Sequence, residues 1–472
     1  MSPMTDNTKR ATAWVVVLTA IGSFMGALDT LVVSTALPTI RLDLNASVSQ
    51  LEWTVNAYNL SFAVMLVTAA ALGDRFGRRR LYAVGIVGFA LASAACAASP
   101  TVGWLIAARA VQGVGAAFMM SLGLALLSAA FPAEKRGTAI GLFSAVTGIA
   151  VASGPIVGGA VVNGLDWTWI FWINVPIGLI AAPLVLARMR ESFGPNSSLD
   201  LAGLGLVSTG AFGIVWGLVR GNSAGWGSVE VVAALVAGAL LVVAFVAWEM
   251  RTPEPMIPMS FFRSRAFSAG NLAIFCVFGS LFAEVYFFSQ FLQNGLGYDV
   301  LGAGLRLMPW TGTFLVVGPV AGALTDRIGE RPLMVTGLLI QAGATLWIAL
   351  IAGPDLAYWQ LVIPMVIAGV GISMAIPSAQ NSVLGSVSQE AVGKAAGTNS
   401  VMRELGGVFG IAIAVAVFAG AGSYASPQAF TDGFGPAVGV AAALALVGAL
   451  AGSFLPAHGT EPELLATAEG SA

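Results

Sequence analysis

The chain has 472 residues, of which 57% are hydrophobic and only 9% charged, and its mean hydropathy is +0.87. Apolar surface on this scale must be hidden from water, so the composition excludes a soluble protein and predicts an integral membrane protein. The net charge is -2 and the basic residues are scattered through short loops, which excludes a basic surface for nucleic acid.

Long apolar runs separated by short polar loops predict membrane-spanning helices along the chain. Each run is about 18–25 residues long, the length that an α-helix needs to cross a hydrocarbon core of about 30 Å. In chain order, fourteen spans are predicted at residues 14–36, 53–72, 81–99, 102–126, 138–162, 168–187, 201–219, 229–248, 267–291, 304–324, 333–352, 358–378, 398–420 and 436–455. The sequence therefore predicts an all-α membrane protein with fourteen transmembrane helices.

Most basic residues lie in loops on one side of these spans, among them Lys9, Arg10, Lys135 and Arg188. Positively charged loops stay in the cytoplasm, which predicts that both chain termini are cytoplasmic. Arginine far outnumbers lysine, and Ala, Gly and Val are abundant, a composition typical of a GC-rich bacterial genome. We therefore expect a multi-pass protein of a bacterial plasma (inner) membrane.

A charged hairpin in the first half of the chain is repeated in the second half. Residues 70–80 align with 322–332, and the same offset aligns 154–158 with 406–410. Two segments at one offset predict two related membrane halves. The offset pairs the second span with the tenth, so two helices are inserted between six-helix halves. We assign 1–190 to the N-terminal half, 191–258 to a linker and the inserted helices, 259–460 to the C-terminal half and 461–472 to a polar tail.

The first two spans carry polar residues on defined faces. In the first span, Asp29 shares a helical stripe with Met25. An ionised carboxylate is costly against lipid, so Asp29 must face the protein interior. It is either the group that binds the coupling proton, with Met25 in the substrate cavity, or a structural carboxylate that hydrogen-bonds a neighbouring helix. In the second span, Asn56 and Asn59 share one face and either hold helices together or line a watery substrate path.

Each hairpin combines an acid, arginine and a glycine. The residues are Asp74, Arg75, Gly77 and Arg78 in the first copy, and Asp326, Arg327 and Gly329 in the second. Glycine permits a tight turn, and the acid can accept charge-assisted hydrogen bonds. We interpret both hairpins as conformational latches that favour one of two transport states. Positive-inside anchoring is the alternative, but it does not explain Asp74 or Gly77.

The fourth span places Arg109 and Gln112 on one face, and we assign Gln112 to the substrate cavity. Arginine does not usefully deprotonate, so Arg109 can tune a carboxylate or repel a cation but cannot carry the proton. The alternative is an interior arginine that holds backbone carbonyls. In the fifth span, small residues and a proline permit bending and close helix approach; they are Gly154, Pro155, Gly158 and Gly159.

The second half supplies further candidate acids. Glu284 lies near the outer end of the ninth span with Phe288 on its stripe, and acids and aromatic rings both attract a lipophilic cation. The alternative is an interfacial aromatic belt with a solvated acid. In the thirteenth span, Arg403 and Glu404 are adjacent and point about 100° apart, so they do not simply pair. We interpret Arg403 as a cavity residue and Glu404 as a second protonation site or a substrate contact.

In this order and spacing, the motifs resemble those of the major facilitator superfamily, and more narrowly its fourteen-span drug:proton antiporter family. The resemblance covers the whole chain and is carried by Leu28 to Pro38, Gly73 to Arg80, Arg109 to Gly113, Gly154 to Gly159 and Trp169 to Gly178. Ala70 and Ala150 depart from it, because the family's motifs usually have Gly there. The resemblance implies the major facilitator fold and proton coupling through Arg109. It also implies that the span-five motif marks an antiporter, and that the protein exports antibiotics and quaternary ammonium compounds.

We therefore predict a transporter, not an enzyme, that exchanges inward-moving protons for outward-moving small amphipathic compounds by alternating access. The chain has no nucleotide-binding loop, so an ion gradient must drive transport. Cys96 and Cys276 lie inside apolar runs and His458 lies in the polar tail, so we expect neither a metal nor a cofactor. The protein is expected to act as a monomer in the lipid bilayer. A proton-coupled nutrient symporter and a non-transporting sensor or scaffold are the alternatives.

Overall fold

A computed structural model describes residues 6–131, 150, 153–154, 156–193, 200–252, 255, 258–387 and 392–456. Within these ranges the secondary structure is entirely helical, which confirms the predicted all-α class. Contacts divide the chain into a first unit, Met1–Leu199, and a second unit, Asp200–Ala472. The two units are described separately.

The first unit is organised around one long helix. Its helices are α1 (Asp6–Asp43), α2 (Val48–Phe76), α3 (Arg78–Ala97), α4 (Val102–Ala130), α5 (156–164), α6 (Trp169–Trp172) and α7 (Asn174–Arg188). Helix α4 packs against α1, α2 and α3, while α3 also packs against α6 and α7. Side chains from α1, α3, α4 and α7 therefore meet inside this unit.

The second unit begins with a helix pair and continues with a second bundle. Its helices are α8 (Leu201–Ala224), α9 (Val229–Glu249), a 3-10 turn (Met259–Arg263), α10 (Arg265–Gln290) with a π turn (Phe291–Gly295), α11 (Val300–Arg306), α12 (Met308–Ile328), α13 (Glu330–Ile351), α14 (Trp359–Leu384), α15 (Val392–Ala421) and α16 (Pro427–Ser453). Helices α8 and α9 pack against each other, and α8 also contacts α15. Helix α14 packs against α10, α12 and α13.

The repeated hairpin has the same backbone geometry in both units. Helix α2 ends before Gly77 and α12 ends before Gly329, and these glycines have φ angles of 107° and 85°. Such angles are unfavourable for residues with a Cβ atom, which explains a glycine at each turn. The close packing that follows is repeated too, because Gly85 lies against Gly115 on α4 as Gly337 lies against Gly371 on α14. The two hairpins thus share one backbone geometry, while the duplication of whole halves stays a prediction.

In the described part of the chain, eleven helices are long and apolar enough to cross a membrane, or twelve when α2 is counted as one span bent by 47°. Together they fall on twelve of the predicted spans. The predicted span at 201–219 falls on α8, where Leu201–Ile214 forms a shorter apolar helix. The predicted span at 138–162 lies mostly outside the described residues.

Many helices begin at a polar residue that caps the free backbone N–H groups of the first turn. At α2, the Ser47 Oγ accepts a hydrogen bond from the Gln50 N–H at 3.3 Å, and the Gln50 side chain accepts one from the Ser47 N–H at 2.9 Å. Thr101, Ser264 and Ser426 cap α4, α10 and α16 in a similar way. These polar residues end the connecting loops and so define where each apolar helix starts.

Candidate functional site

Three predicted site residues meet inside the first unit. Asp29 on α1 and Arg109 and Gln112 on α4 are all buried, with exposed fractions of 3% or less. The Arg109 Nη1 donates to the Asp29 carboxylate in a direct ion pair, and the Gln112 Nε2 donates to Asp29 Oδ1 at 2.9 Å. We call these residues, together with Ser93 and Asn174, the Asp29 cluster.

Two members of the Asp29 cluster were missed from the sequence. Asn174, at the start of α7, donates to Ser93 Oγ at 3.1 Å and lies 3.4 Å from Asp29 Oδ1. The Ser93 hydroxyl on α3 also accepts from Gln112 at 3.2 Å and donates to the Phe171 carbonyl at 2.9 Å. Four helices are therefore joined at one buried carboxylate, and every member contributes a hydrogen bond.

The Arg109 guanidinium combines both roles considered from the sequence. Its Nε donates to the Thr54 carbonyl at 3.1 Å, and its Nη1 also donates to Gln112 Oε1 at 2.7 Å. The Tyr58 ring lies 4.2 Å from the guanidinium carbon, a distance at which the ring face attracts the charge. Arg109 therefore holds a backbone carbonyl and also neutralises Asp29.

A very small cavity, of about 10 Å³, borders Asp29 and Asn174. Its remaining walls are apolar and come from α1, α5 and the α6–α7 region: Leu28, Val32, Val157, Val161, Ile170 and Ile173. Val161 and Ile173 also line a larger, open apolar groove with Trp169 and Trp172. The Asp29 carboxylate thus has bonded neighbours on one side and a small cavity on another.

The other first-unit candidates lie apart from this cluster. Met25 is buried, and so are Asn56 and Asn59 on α2. The Asn56 Nδ2 donates to Glu52 Oε1 at 3.3 Å, and this buried acid was missed from the sequence. Among the described residues, Asn56 Oδ1 and Asn59 Nδ2 have no hydrogen-bond partner. We call Glu52, Asn56 and Asn59 the α2 polar stripe.

Glu284 is fully buried on α10 in the second unit, so the interpretation as a solvated acid in an interfacial belt is wrong. Its Oε1 accepts hydrogen bonds from Thr345 Oγ1 at 2.7 Å, Gln341 Nε2 at 3.2 Å and Ser280 Oγ at 3.3 Å. Packing against α13 explains the error, because the position of Glu284 near the end of a predicted span did not show that this helix covers it.

The aromatic neighbour predicted for Glu284 is part of packed core. The Phe288 ring lies 5.5 Å from that of Trp310 and 6.3 Å from that of Phe434. On α15, the Arg403 guanidinium lies 5.7 Å from the Phe278 ring centroid. The side chain of Glu404 lies outside the described residues, so its role stays a prediction.

The first hairpin is held to the chain that follows α7. The Arg78 Nε bonds Asp74 Oδ1 at 2.7 Å, and the Arg78 N–H donates to the Ser192 carbonyl at 3.0 Å. Glu191 accepts from the Arg79 N–H at 2.8 Å and lies 3.6 Å from the guanidinium groups of Arg79 and Arg80. Glu191 was missed, because it lies in the predicted linker, far from the hairpin in sequence.

The remaining hairpin and span-five residues are placed as follows. Arg75 is exposed and lies over the neighbouring Phe76 ring, and Arg327 of the second hairpin is exposed as well. The Asp326 side chain and Pro155 lie outside the described residues. A Cβ at Gly158 would lie 2.2 Å from Thr35 Oγ1, so α5 and α1 touch there as predicted. Gly154 and Gly159 are also buried.

The fold, the duplicated hairpins and the buried acid–arginine pair are those of a secondary transporter, and comparison with known proteins identifies the family. The model of the Major Facilitator Superfamily matches residues 19–411, and the chain belongs to this superfamily. This confirms the resemblance to the superfamily that was drawn from the motifs.

Relatives and a solved structure agree with that assignment. The chain is 34% identical over 446 residues to a tetracenomycin C resistance and export protein of Streptomyces glaucescens, covering 94% of this chain and 82% of the relative. It is 33% identical over 405 residues to a methylenomycin A resistance protein of Bacillus subtilis, covering 84% and 86%. The inward-open xylose transporter XylE from E. coli superposes with a TM-score of 0.67 over 96% of this chain and 99% of its own, at 14% identity. That structural likeness supports the fold alone.

Proposed function

We propose that the protein is a proton-coupled antiporter that exports amphipathic drugs or antibiotics from the cytoplasm by alternating access. The observation that carries the proposal is the buried Asp29–Arg109 pair, a titratable carboxyl beside a permanent cation inside a membrane unit. Relatives whose names describe resistance to tetracenomycin C and methylenomycin A support the direction and class of substrate.

Proton binding at Asp29 changes the charge of the first unit. With Asp29 ionised, the pair with Arg109 is neutral. A proton on a carboxylate oxygen breaks the ion pair and leaves the guanidinium with Gln112 Oε1, the Thr54 carbonyl and the Tyr58 ring. A charge created inside the unit can favour one of two conformations, because the states differ in how well they accommodate it. Release of the proton restores the pair.

The α2 polar stripe is our proposed substrate contact in the first unit, together with Met25. Its buried Asn56 Oδ1 and Asn59 Nδ2 have no bonded partner in the described chain, so a ligand can supply one acceptor and one donor. On α15, we retain Arg403 and Glu404 as contacts to substrate or proton. The hairpins that end at Gly77 and Gly329 are proposed as conformational latches, supported by the ion pair of Asp74 and Arg78.

We further propose fourteen spans with both termini in the cytoplasm of a bacterium, and a functional monomer in the plasma membrane. The halves are 1–190 and 259–460, separated by a linker and two inserted helices in 191–258. The mutual packing of α8 and α9 supports an inserted helix pair. The repeated glycine turns support two related halves.

Asp29→Asn tests the proposal, because the amide imitates the protonated acid permanently. We expect the variant to reach the membrane but to lose pH-gradient-driven accumulation of ethidium in inside-out vesicles. Asp432→Asn is the matched control, since Asp432 is an exposed acid on α16 and should keep wild-type transport. Full transport by Asp29→Asn would refute Asp29 as the coupling residue. Absence of gradient-driven export of any cationic, neutral or acidic antibiotic by wild type would refute the antiporter itself.

A further inference from the structure

The hydrogen bonds at Glu284 are distributed unevenly over its two carboxyl oxygens. Oε1 accepts from Ser280, Gln341 and Thr345, whereas Oε2 is buried and has no hydrogen-bond partner among the described residues. An ionised carboxylate has two equivalent oxygens that both attract donors. A protonated acid has one carbonyl oxygen that accepts and one hydroxyl that carries hydrogen, so donors gather on one side. Only one of the two oxygens of Glu284 has hydrogen-bond donors, and none of these donors is charged, so a negative charge on this carboxyl would be poorly compensated.

The hydrogen-bond partners of Glu284 among the described residues are uncharged. Its partners on α13 are an amide and a hydroxyl, and the described part of the chain forms no ion pair with it. The ionisable residues of the packed elements are Arg263 of the 3-10 turn, Arg265, Cys276 and Tyr286 of α10, Glu330 and Arg331 of α13, Lys394, Arg403 and Glu404 of α15, and Asp432 of α16. Helix α14 has none. Arg403 lies over the Phe278 ring and Asp432 is exposed.

The offset of the repeated hairpins relates some neighbours of Glu284 to the Asp29 cluster. Thr345 aligns with Ser93 at the offset of the repeated hairpins, and both hydroxyls serve the acid centre of their unit. The residue that aligns with Arg109 is Leu361, which is buried on α14. The residue that aligns with Asp29 is Leu281, so the second half has a hydroxyl at the equivalent place, has no arginine there, and carries its acid three residues further along the helix.

We infer that Glu284 is a second proton-binding site, enclosed in the second unit, and that the transport cycle moves a second proton through it. Glu284 has no exposed surface, so a ligand larger than a proton reaches it only if the helices packed around α10 separate. The inference rests on the proposed antiport and specifies its coupling: two protons enter for each substrate molecule that leaves. For a monovalent cation, each cycle then carries one net positive charge inward.

Infrared difference spectroscopy of the purified protein in lipid tests the proton site without any substrate. At neutral pH we expect the carbonyl band of a protonated carboxylic acid in wild type and in Asp29→Asn, and its loss in Glu284→Gln. Thr345→Val removes the shortest hydrogen bond to Oε1 and should move this band to higher frequency. Asp432→Asn, at an exposed acid on α16, is the control and should leave it in place. A band unchanged in both Glu284→Gln and Thr345→Val overturns the inference, and Thr345→Val alone decides if Glu284→Gln does not fold.

Electrogenic transport tests the proton count. In proteoliposomes, wild type should exchange ethidium for protons when driven by a pH gradient and also when driven by a membrane potential imposed with valinomycin and potassium. In Glu284→Gln, we expect potential-driven exchange to fall to the level of protein-free liposomes while gradient-driven exchange continues. A potential response that survives in Glu284→Gln, or is lost in Asp432→Asn instead, overturns the inference. Wild type that fails with a pH gradient refutes the proposed antiport, whereas the infrared result still decides whether Glu284 binds a proton.

Discussion

Each half of the molecule holds a buried acid on its first long helix, but the two acids have different neighbours. In the first unit, Asp29 lies against Arg109 and the amides of Gln112 and Asn174. In the second unit, Glu284 lies against two hydroxyls and one amide. The first site is neutral when its acid is ionised, and the second is neutral when its acid is protonated. The two buried acids therefore have opposite charge requirements.

This difference follows from the cost of charge inside a membrane protein. One unpaired charge at the centre of a spanning helix costs about 2.5–3.5 kcal/mol on insertion scales. Arg109 and Asp29 avoid that cost only as a pair, so protonation of Asp29 leaves one charge without its counterion. Deprotonation of Glu284 has the same consequence with the opposite sign. Both proton transfers therefore create charge, and a conformational change can relieve it.

The largest predicted effect comes from making the first half resemble the second. Arg109→Leu introduces the residue found at Leu361 and leaves Asp29 as a buried acid without a cation. Breaking a buried pair on one side typically costs about 3–5 kcal/mol. We expect loss of transport and a large fall in the thermal unfolding temperature of the purified protein.

The double variant Asp29→Asn/Arg109→Leu provides the control for that loss. It removes both charges, so thermal stability should largely return while proton-driven transport stays absent. A double variant as unstable as Arg109→Leu would show that the guanidinium matters mainly through the Thr54 carbonyl and the Tyr58 ring. That result would contradict the electrostatic comparison.

Effects of intermediate size on the unfolding temperature and the pH profile are predicted for the two aligned hydroxyl residues, Ser93 and Thr345. Ser93→Ala removes the acceptor of Gln112 and Asn174 and the donor to the Phe171 carbonyl, and buried groups left unpaired cost about 1–3 kcal/mol each. Thr345→Val removes one donor from Glu284. We expect Ser93→Ala to lower the unfolding temperature more, and Thr345→Val to shift the pH profile of transport more.

The pH shift has a defined sign. Thr345 donates to the carboxyl of Glu284, a bond that is stronger when the acid is ionised, so its loss makes the proton harder to release. The pH profile of Thr345→Val should therefore move to higher pH, and Ser93→Ala should leave the profile in place. Identical profiles for both variants would remove the functional distinction between the two hydroxyls.

Sequence reasoning found the residues whose chemistry is unusual in a membrane span. An acid, an arginine and a glutamine inside apolar runs are rare, and Asp29, Arg109 and Gln112 indeed form one cluster. The repeated glycines were visible because two distant segments aligned at one offset, and both have positive φ angles. Rare residue types and repeats therefore carried the correct part of the prediction.

The missed residues belong to common residue types, so a single sequence does not mark them as members of a site. Ser93 and Asn174 are short polar residues of a kind that is common in membrane helices, and only packing of α3 and α7 brings them to Asp29. The burial of Glu284 depends on α13, a helix that is distant in sequence. The position of a residue within a predicted span indicates how deep it lies along its own helix. It does not indicate which neighbouring helix lies over that residue.

The smallest predicted effect concerns Glu191, which ties the first hairpin to the end of α7. Its carboxylate accepts from the Arg79 N–H at 2.8 Å and lies 3.6 Å from two guanidinium groups near the surface. Partly exposed pairs contribute only about 0.2–1 kcal/mol each, so Glu191→Gln should barely change the unfolding temperature. If the hairpin is a latch, the variant should nevertheless lower the turnover rate of ethidium export while its half-saturation concentration stays unchanged.

Glu230→Gln, which breaks the exposed pair with Arg220 between α8 and α9, is the matched control and should leave the turnover rate intact. Equal turnover in both variants would show that the pair with Glu191 only anchors the hairpin.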